Sequence, residues 1–476
     1  MRPLYSLLFA GLLATQIQAA PANQPAGLLE VYRLAVANNA DLAAAHAAYR
    51  ARSENVPQAR AGLLPQLGAG ASNNSSRTKV DTHELGELTS KRNSYSYQAS
   101  LSQPVFRLDR WYQLKTAQAD NEQAALELSA TEQALILQSA EAYFAVLRNQ
   151  DNLAASLAEE KAFERQYELA RERFNVGLSD KTDVLQAQAA HDNARANRMQ
   201  GQQLVLDAFQ VLETLTDQHF AALEGLRHGL PVQPPQPNDA AAWVDRALAD
   251  NLQLRAMDFA LEAAQQDLRT RKAGHAPTLD AVAQYQKGDN DSLGFSNRGM
   301  PGNPAYNRHA EQTVIGLQLN IPLYTGGSTS SRVRQGVYQL QNAEHGKESL
   351  RRQTVQNARN LHRAVNTDVE QVQARRQSII SSYSAVEATQ IGYEVGTRTI
   401  VDVLDAQRQL YAAVRNYNNA RYDYILNNLR LQQTAGSLSP DNLQALNEYL
   451  YPDYDPERDF LPPDLEQAAA ENLRRR

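Results

Sequence analysis

The sequence contains no cysteine among its 476 residues, which excludes thiolate zinc sites, disulfides and a lipid anchor on an N-terminal cysteine. Basic and acidic residues nearly balance, with 47 Lys and Arg against 53 Asp and Glu, so no basic surface for nucleic acid is expected. The nine histidines lack metal-ligand spacing, and no nucleophile elbow, phosphate loop or dinucleotide fingerprint occurs. We therefore predict no enzyme activity, no metal site, no cofactor and no nucleic-acid partner.

Long hydrophobic runs are also missing, and the mean hydropathy is -0.54. After the N-terminus no apolar run approaches the roughly 18 residues of a membrane-spanning helix, so any membrane crossing must use another structure. At the N-terminus, Arg2 is followed by a short apolar core at 4–14 and by small and polar residues through Ala20. This pattern is typical of a secretory signal peptide cleaved near Ala19, and the alternative of a buried N-terminal helix lacks an amphipathic pattern.

The rest of the chain contains an internal duplication. The sequence FNVGLSDKTDVLQAQ around Gly177 recurs as YEVGTRTIVDVLDAQ around Gly396, at an offset of 219 residues. Seven of the 13 positions starting at Val176 and Val395 are identical, which indicates a repeat. Two prolines of the first copy, Pro65 and Pro104, recur in the same order in the second copy as Pro277 and Pro322.

The repeat gives the expected domain boundaries. We predict a signal peptide at 1–19, a first repeat at 20–230, a Pro-rich linker at 231–237, a second repeat at 238–435 and a C-terminal segment at 436–476. The acidic, Pro-rich tail from about residue 451 is expected to be disordered.

Each copy combines long helices with a pair of strands. Residues 107–176 contain no Gly or Pro over 70 positions, which predicts a helix of about 105 Å. Such a length implies a coiled coil or helical tube, and Gly177 and Gly396 are expected where one helix turns into the next. Alternating apolar and polar residues predict strands near 67–77, 94–104, 279–287 and 311–321, with polar loops at 77–91 and 288–309.

The strands have the length of tilted bilayer-spanning strands, although two soluble hairpins packed on the helices would show the same weak alternation. Four strands cannot close a barrel, and open edges in lipid leave backbone groups unpaired at several kcal/mol each. Two copies would give about eight strands and a filled interior, whereas three copies would give about twelve strands and room for an aqueous lumen.

The duplicated order, the prolines in LLPQL, SQPVF, HAPTL and NIPLY, and the turns FNVGLSDKTDV and GYEVGTRTIVDVLDAQ closely resemble the TolC family of outer-membrane efflux and secretion channels. The resemblance covers nearly the whole mature chain, to about residue 446. It implies a homotrimer in the outer-membrane lipid of a Gram-negative cell. Its fold would be mainly α, with helical hairpins forming an α-barrel through the periplasm below a 12-stranded β-barrel. It also implies docking to a periplasmic adaptor and an inner-membrane RND or ABC pump.

Beside the interhelical turns the two copies differ at several positions. Tyr393 replaces Phe174, Arg398 replaces Ser179, and Asp405 replaces Gln186. By resemblance these positions belong to a gate at the periplasmic end, with a latch formed by Tyr393, Arg398, Thr182 and Asp183. Asp402 and Asp405 lie three residues apart on one helix face, so in a trimer they would form a cation-selective constriction. The plainer interpretation of Asp183 and Asp402 is that they stabilise the first turn of a helix.

The turns are the expected adaptor contacts, at Val176, Gly177, Leu178, Ser179, Val395, Gly396, Thr397 and Arg398. The four prolines are expected at the transitions between helices and barrel strands. The sequence thus predicts an outer-membrane exit duct for efflux pumps, type I secretion or both. The alternative is a secreted structural coiled coil, such as a stalk or adhesin, which explains the helices but not the proline-bounded strand pairs. The cargo is not readable from the sequence.

Overall fold

The computed structural model of the protein describes residues 25–82, 86–289 and 310–465. The predicted signal peptide and most of the predicted loop at 288–309 lie outside the described residues. The chain divides into two compact units. Among the described residues, one unit contains 25–43, 132–245 and 357–465, and the other contains 44–82, 86–131, 246–289 and 310–356.

The long helices are confirmed. Helix α4 runs through the Gly- and Pro-free stretch over 68 residues, and its counterpart α8 has 67 residues. No helix in the described part of the chain is long and apolar enough to cross a membrane. The helices are α1 (Leu28–Asn38), α2 (Ala40–Ser53), α3 (Asn55–Ala61), α4 (Leu108–Asn175), α5 (Lys181–Thr216), α6 (Ala240–Asp250), α7 (Leu252–Ala273), α8 (Ser328–Glu394), α9 (Ile400–Thr434), α10 (Pro440–Asn447) and α11 (Pro456–Asp459).

The first unit contains most of two helical hairpins, α4–α5 (the first hairpin) and α8–α9 (the second hairpin), whereas the first parts of α4 and α8 belong to the second unit. Each hairpin buries apolar side chains within the chain, because Phe163, Ala170 and Val414 are almost fully covered. Leu204 and Val211 on α5 stay about half exposed, at 47% and 59%. These two apolar side chains of α5 are therefore not fully covered by the described residues of one copy.

The strands are β1 (Gln66–Thr82), β2 (Gly86–Phe106), β3 (Gly225–Leu226), β4 (Thr278–Gly288), β5 (Ala310–Asn320) and β6 (Leu450–Tyr451). Four of them form an antiparallel sheet in the second unit, in the order β1-β2-β4-β5. Pro65 and Pro277 each lie one residue before a strand, Pro104 lies at a bulge near the end of β2, and Pro322 follows β5. Strands β3 and β6 form a separate two-stranded sheet in the first unit.

The four-stranded sheet has two chemically different faces. One row across it joins Leu67, Leu101, Ala283 and Ile315. On β5 the apolar residues of this face are widely exposed, with Ile315 at 81% and Leu317 at 70%. Rows on the opposite face are polar; one joins Gly70, Gln98, Gln286 and Gln312. Because side chains alternate between faces along a strand, the predicted alternation produces one apolar and one polar surface.

The predicted polar loop at 77–91 is wrong. The β1–β2 ladder continues without a break in register from Gln66 opposite Ser102 to Thr82 opposite Gly86. Backbone pairing does not require an apolar face, and a polar segment extends a hairpin once the preceding residues have set the register. These strands of 17 and 21 residues exceed the roughly 9–11 residues that cross a bilayer.

The predicted disorder from residue 451 is also wrong for the described part of the tail. Tyr451 pairs with Gly225 in the β3–β6 sheet, and Phe460 and Leu465 are buried in a hydrophobic cluster. The tail is acidic and Pro-rich on average, but it also contains widely spaced aromatic and apolar residues. Burial of these residues provides the free energy that keeps the tail ordered.

Candidate functional site at the interhelical turns

The two interhelical turns share one backbone motif. In the first turn, the Leu178 N–H donates to the Arg173 carbonyl at 2.7 Å, across Gly177 with φ 77°. In the second, the Thr397 N–H donates to the Gly392 carbonyl at 2.8 Å, across Gly396 with φ 81°. These bonds are those of a Schellman C-cap, which needs a left-handed residue that glycine adopts without strain. The predicted positions of both turns are confirmed.

The helices that follow the turns begin with different caps. Asp180 accepts hydrogen bonds from the N–H groups of Thr182 and Asp183, at 2.8 and 3.2 Å, and so caps α5. Thr399 caps α9 in a reciprocal capping box with Asp402, whose carboxylate accepts from the Thr399 N–H and hydroxyl, both at 2.9 Å. The interpretation of Asp402 as a first-turn stabiliser therefore holds, whatever further role it has.

The duplicated aspartates accordingly differ in electrostatics. Hydrogen bonds from Thr399 lower the pKa of Asp402 below its usual value. Burial and the neighbouring Asp180 raise the pKa of Asp183, against the opposing effect of Arg173. One turn thus carries a firmly ionised carboxylate, and the other carries a carboxylate that binds a proton more readily.

Tyr393 is buried at the base of the turns, 6% exposed, among the small side chains of α4 and α5. The Arg173 guanidinium lies over its ring, 4.8 Å from the centroid, in a contact between the first and second hairpins. The Tyr393 hydroxyl has no hydrogen-bond partner among the described residues. The expected bonds from Tyr393 to Thr182 or Asp183 are therefore absent within one copy of the chain.

Sequence reasoning missed Arg173. Its position in the second copy is occupied by Gly392, so comparing the copies one residue further back would have found the difference. Gly392 leaves space for the Arg398 side chain, because a Cβ there would lie 2.7 Å from Arg398 Cγ. Arg398 therefore packs on its own hairpin and is exposed, rather than reaching Thr182 or Asp183 of the same described chain.

The two carboxylates of the predicted constriction lie on α9. Asp405 pairs with Arg408 at 2.6 Å, and both side chains are about half exposed, at 52% and 53%. Asp402 precedes Asp405 by three residues and therefore shares its helix face. The chain thus presents two carboxylates and one neighbouring guanidinium on this face.

The surface of the turns is apolar. Val176, Leu178 and Val395 are each 70% exposed, which is unusual for side chains of this size. The first turn adds Asp180 and Lys181, both exposed, so the apolar surface has a charged border on one side.

A sheet with one apolar and one polar face, joined in the same chain to long helical hairpins with exposed turns, is the arrangement expected of an outer-membrane channel protein that extends into the periplasm. The chain belongs to the outer membrane efflux protein family, whose sequence profile matches residues 31–217 and 243–437. The two matched stretches correspond to the two copies. The protein is thus an exit duct of the efflux and type I secretion class.

Individual relatives agree. The chain is 35% identical over 447 residues to outer membrane protein TolC of Vibrio cholerae, covering 94% of this chain and 98% of that protein. It is 33% identical to TolC of Escherichia coli, covering 90% and 86%. It is 28% identical to the alkaline protease secretion protein AprF of Pseudomonas aeruginosa, covering 94% and 91%.

Solved structures share the fold. The outer membrane protein VceC of Vibrio cholerae matches with a TM-score of 0.72 at 19% identity, over 86% of this chain and 96% of that one. The MtrE outer membrane channel of Neisseria gonorrhoeae matches with a TM-score of 0.69 at 19% identity, over 88% and 91%.

Proposed function

We propose that three copies of this chain enclose one conduit, closed at the interhelical turns until a periplasmic adaptor and an inner-membrane pump dock there. The observation that carries the trimer is the four-stranded sheet, whose edge strands β1 and β5 each have one side without a strand partner in the described chain. In lipid such edges must pair, and three sheets give the twelve strands that leave a water-filled lumen. The polar rows would then line the lumen and the apolar rows would face lipid.

The latch is proposed between neighbouring copies of the chain. Tyr393 has a buried hydroxyl without a partner among the residues that the structure describes, and Arg398 presents an exposed guanidinium beside the second turn. An unsatisfied buried hydroxyl costs about 1–3 kcal/mol, so a closed state that supplies an acceptor is favoured. Thr182 and Asp183 offer such acceptors. Charge-assisted bonds of roughly 1.5–3 kcal/mol each are strong enough to hold a closed state and weak enough for docking to overcome.

The adaptor is proposed to bind the turns, because Val176, Leu178 and Val395 form an exposed apolar surface that a partner would cover. Docking there would act directly on the latch residues, which lie in or beside the same turns. The pump behind the adaptor, of the RND or ABC class, would supply the energy. The chain itself would be a passive duct.

The proposal is tested by conductance in planar bilayers. The purified trimer should conduct poorly, and the double variant Arg398→Ser with Tyr393→Phe should raise the single-channel conductance severalfold. The matched control is Arg375→Ser, which removes an exposed guanidinium from α8 of the same hairpin, outside both the latch and the proposed constriction. An unchanged conductance in the double variant would disprove the latch, and a monomeric, electrically silent protein would disprove the channel.

A further inference from the structure

A segment after α10, residues 449–465, crosses the first unit as an irregular chain; we name it the C-terminal clasp. It begins with the short β6 strand, in which Leu450 pairs with Leu226 and Tyr451 with Gly225. The side chain of Tyr454 then covers Gly225 so closely that a Cβ at Gly225 would overlap the tyrosine ring. The glycine therefore leaves a slot that the ring of Tyr454 fills.

The slot ends at a buried carboxylate on the first hairpin. The Tyr454 hydroxyl donates to Asp151 of α4, and the Tyr422 hydroxyl of α9 donates to the second carboxylate oxygen at 2.8 Å. Asp151 is 3% exposed, and a buried carboxylate without donors is strongly destabilising. The clasp thus completes the hydrogen bonding of a group at the junction of the first and second hairpins.

The second half of the clasp is held by apolar burial. Phe460 and Leu465 are 5% and 6% exposed, and they lie in one cluster with residues of α4, α8 and α9. The Asn418 side chain of α9 donates to the Phe460 carbonyl at 2.9 Å. The cluster comprises Ala154, Ala155, Val372, Ile379, Ile380, Ala413, Val414, Tyr417, Ala420, Phe460 and Leu465.

Ion pairs at the edge of the clasp connect it to both hairpins. Glu457 pairs with Lys161 of α4 at 3.2 Å, and Asp464 pairs with Arg376 of α8. Exposed pairs contribute little individually, so the packing of Tyr454 against Gly225 and the burial of Phe460 carry the docking. One continuous segment, the clasp, therefore contacts helices of both the first and the second hairpin.

We propose that the C-terminal clasp is a built-in brace that holds the first hairpin to the second and limits their separation when the duct opens. The brace acts on α4 at Asp151, 26 residues before Gly177, which is about 39 Å along the helix from the turn. It therefore restrains the hairpins away from the latch. This inference rests on the proposed gating, although the docking of the clasp does not.

The test uses a glycine pair. Gly225→Ala places a methyl group where the Tyr454 ring lies and should expel the clasp without altering any clasp residue. Gly229→Ala, four positions further on, meets nothing within 4 Å and is the matched control. Hydrogen exchange of the full-length trimer should show clasp amides exchanging about tenfold faster or more in Gly225→Ala, and unchanged in Gly229→Ala.

Two further measurements separate the brace from the gate. If the clasp restrains the hairpins, Gly225→Ala should speed hydrogen exchange in the turn peptides 174–183 and 393–402, and should raise bilayer conductance above that of Gly229→Ala. Released clasp amides with unchanged turns would overturn the brace while leaving the gate intact. Faster exchange in the turns with a protein that never conducts would support the brace and overturn the duct. Clasp amides that stay protected in both Gly225→Ala and Tyr454→Ala would show that the Tyr454 slot does not hold the segment.

Discussion

Two titratable groups that contact the clasp, Asp151 and His228, have pKa values shifted in opposite directions from their usual values. Burial raises the pKa of Asp151 to about 7, although the Tyr422 hydrogen bond and Arg421 oppose the rise and Asp459 adds to it. Burial lowers the pKa of His228 to about 4, with Arg421 acting in the same sense. The His228 Nε2–H donates to the Asp459 carbonyl at 2.8 Å, its ring stacks on Tyr417, and Asp459 and Asp464 oppose the lowering.

We expect opening of the clasp to hydrate both Asp151 and His228, so each group should make clasp docking depend on pH. Asp151 has a raised pKa when docked, so its contribution is greatest below 3.8 and is lost as the pH rises to about 7. His228 has a lowered pKa when docked, so its contribution is complete above 6.5 and is lost as the pH falls to about 4. Between about pH 4 and pH 6.5, opening of the clasp releases a proton from Asp151 and adds one to His228, so the two pH dependences cancel.

We therefore predict that clasp docking in the unmodified protein is nearly independent of pH from about 4.5 to 6.5. Replacing either Asp151 or His228 should expose the pH dependence that the remaining group confers. In Asp151→Asn only His228 titrates, so the clasp opening constant should rise by up to about tenfold for each pH unit lost below 6.5. In His228→Gln only Asp151 titrates, so the clasp opening constant should fall by up to about tenfold for each unit by which the pH is lowered from about 7 to about 4.

The assay is hydrogen exchange of peptides from 449–465, corrected for the intrinsic pH dependence of amide exchange. Asp423→Asn, which removes an exposed carboxylate from α9, is the matched control and should keep the flat profile. A steep profile in the unmodified protein would refute the cancellation. Flat profiles in both variants would show that neither group changes protonation when the clasp opens.

Two further predictions concern the turns. The double variant Asp402→Asn with Asp405→Asn should weaken block of the bilayer conductance by multivalent cations at least tenfold, because it removes about six carboxylates from the axis of the proposed trimer. Asp180→Asn is the matched control. Persistent block in the double variant would place the cation-selective filter elsewhere. Gly396→Ala should destabilise the protein by about 1–2 kcal/mol, since φ is 81° there, and Gly396→Asn by less; equal midpoints of denaturation for all three proteins would contradict the strained turn.

The helices and turns were predictable because their signals are local. A Gly- and Pro-free run leaves helix as the favoured local structure, and Gly177 and Gly396 mark the positions where it ends. The strand pair at 77–91 was not predictable, because its polar residues show no face alternation and its order comes from the neighbouring strand. Register propagated along β1 and β2 is a property of the pair and not of either segment.

The clasp was missed for a related reason. Average composition describes residues 451–465 as acidic and Pro-rich, yet two aromatic residues, Tyr454 and Phe460, account for their order. The slot for Tyr454 exists only because Gly225, more than 200 residues earlier, lacks a side chain. Average composition does not register a few widely spaced aromatic residues, and a single sequence does not indicate which distant glycine a given aromatic ring packs against.

The duplicated turns show that equal sequence positions do not imply equal roles. Asp183 and Asp402 are equivalent in the repeat, but α5 is capped by Asp180 and α9 by Thr399 with Asp402. Asp402 remains ionised because its cap holds the charge, whereas Arg408 partly offsets the charge of Asp405. Cation binding at the proposed constriction should therefore depend more on Asp402 than on Asp405. The capping box between Thr399 and Asp402 both begins α9 and keeps the Asp402 carboxylate charged.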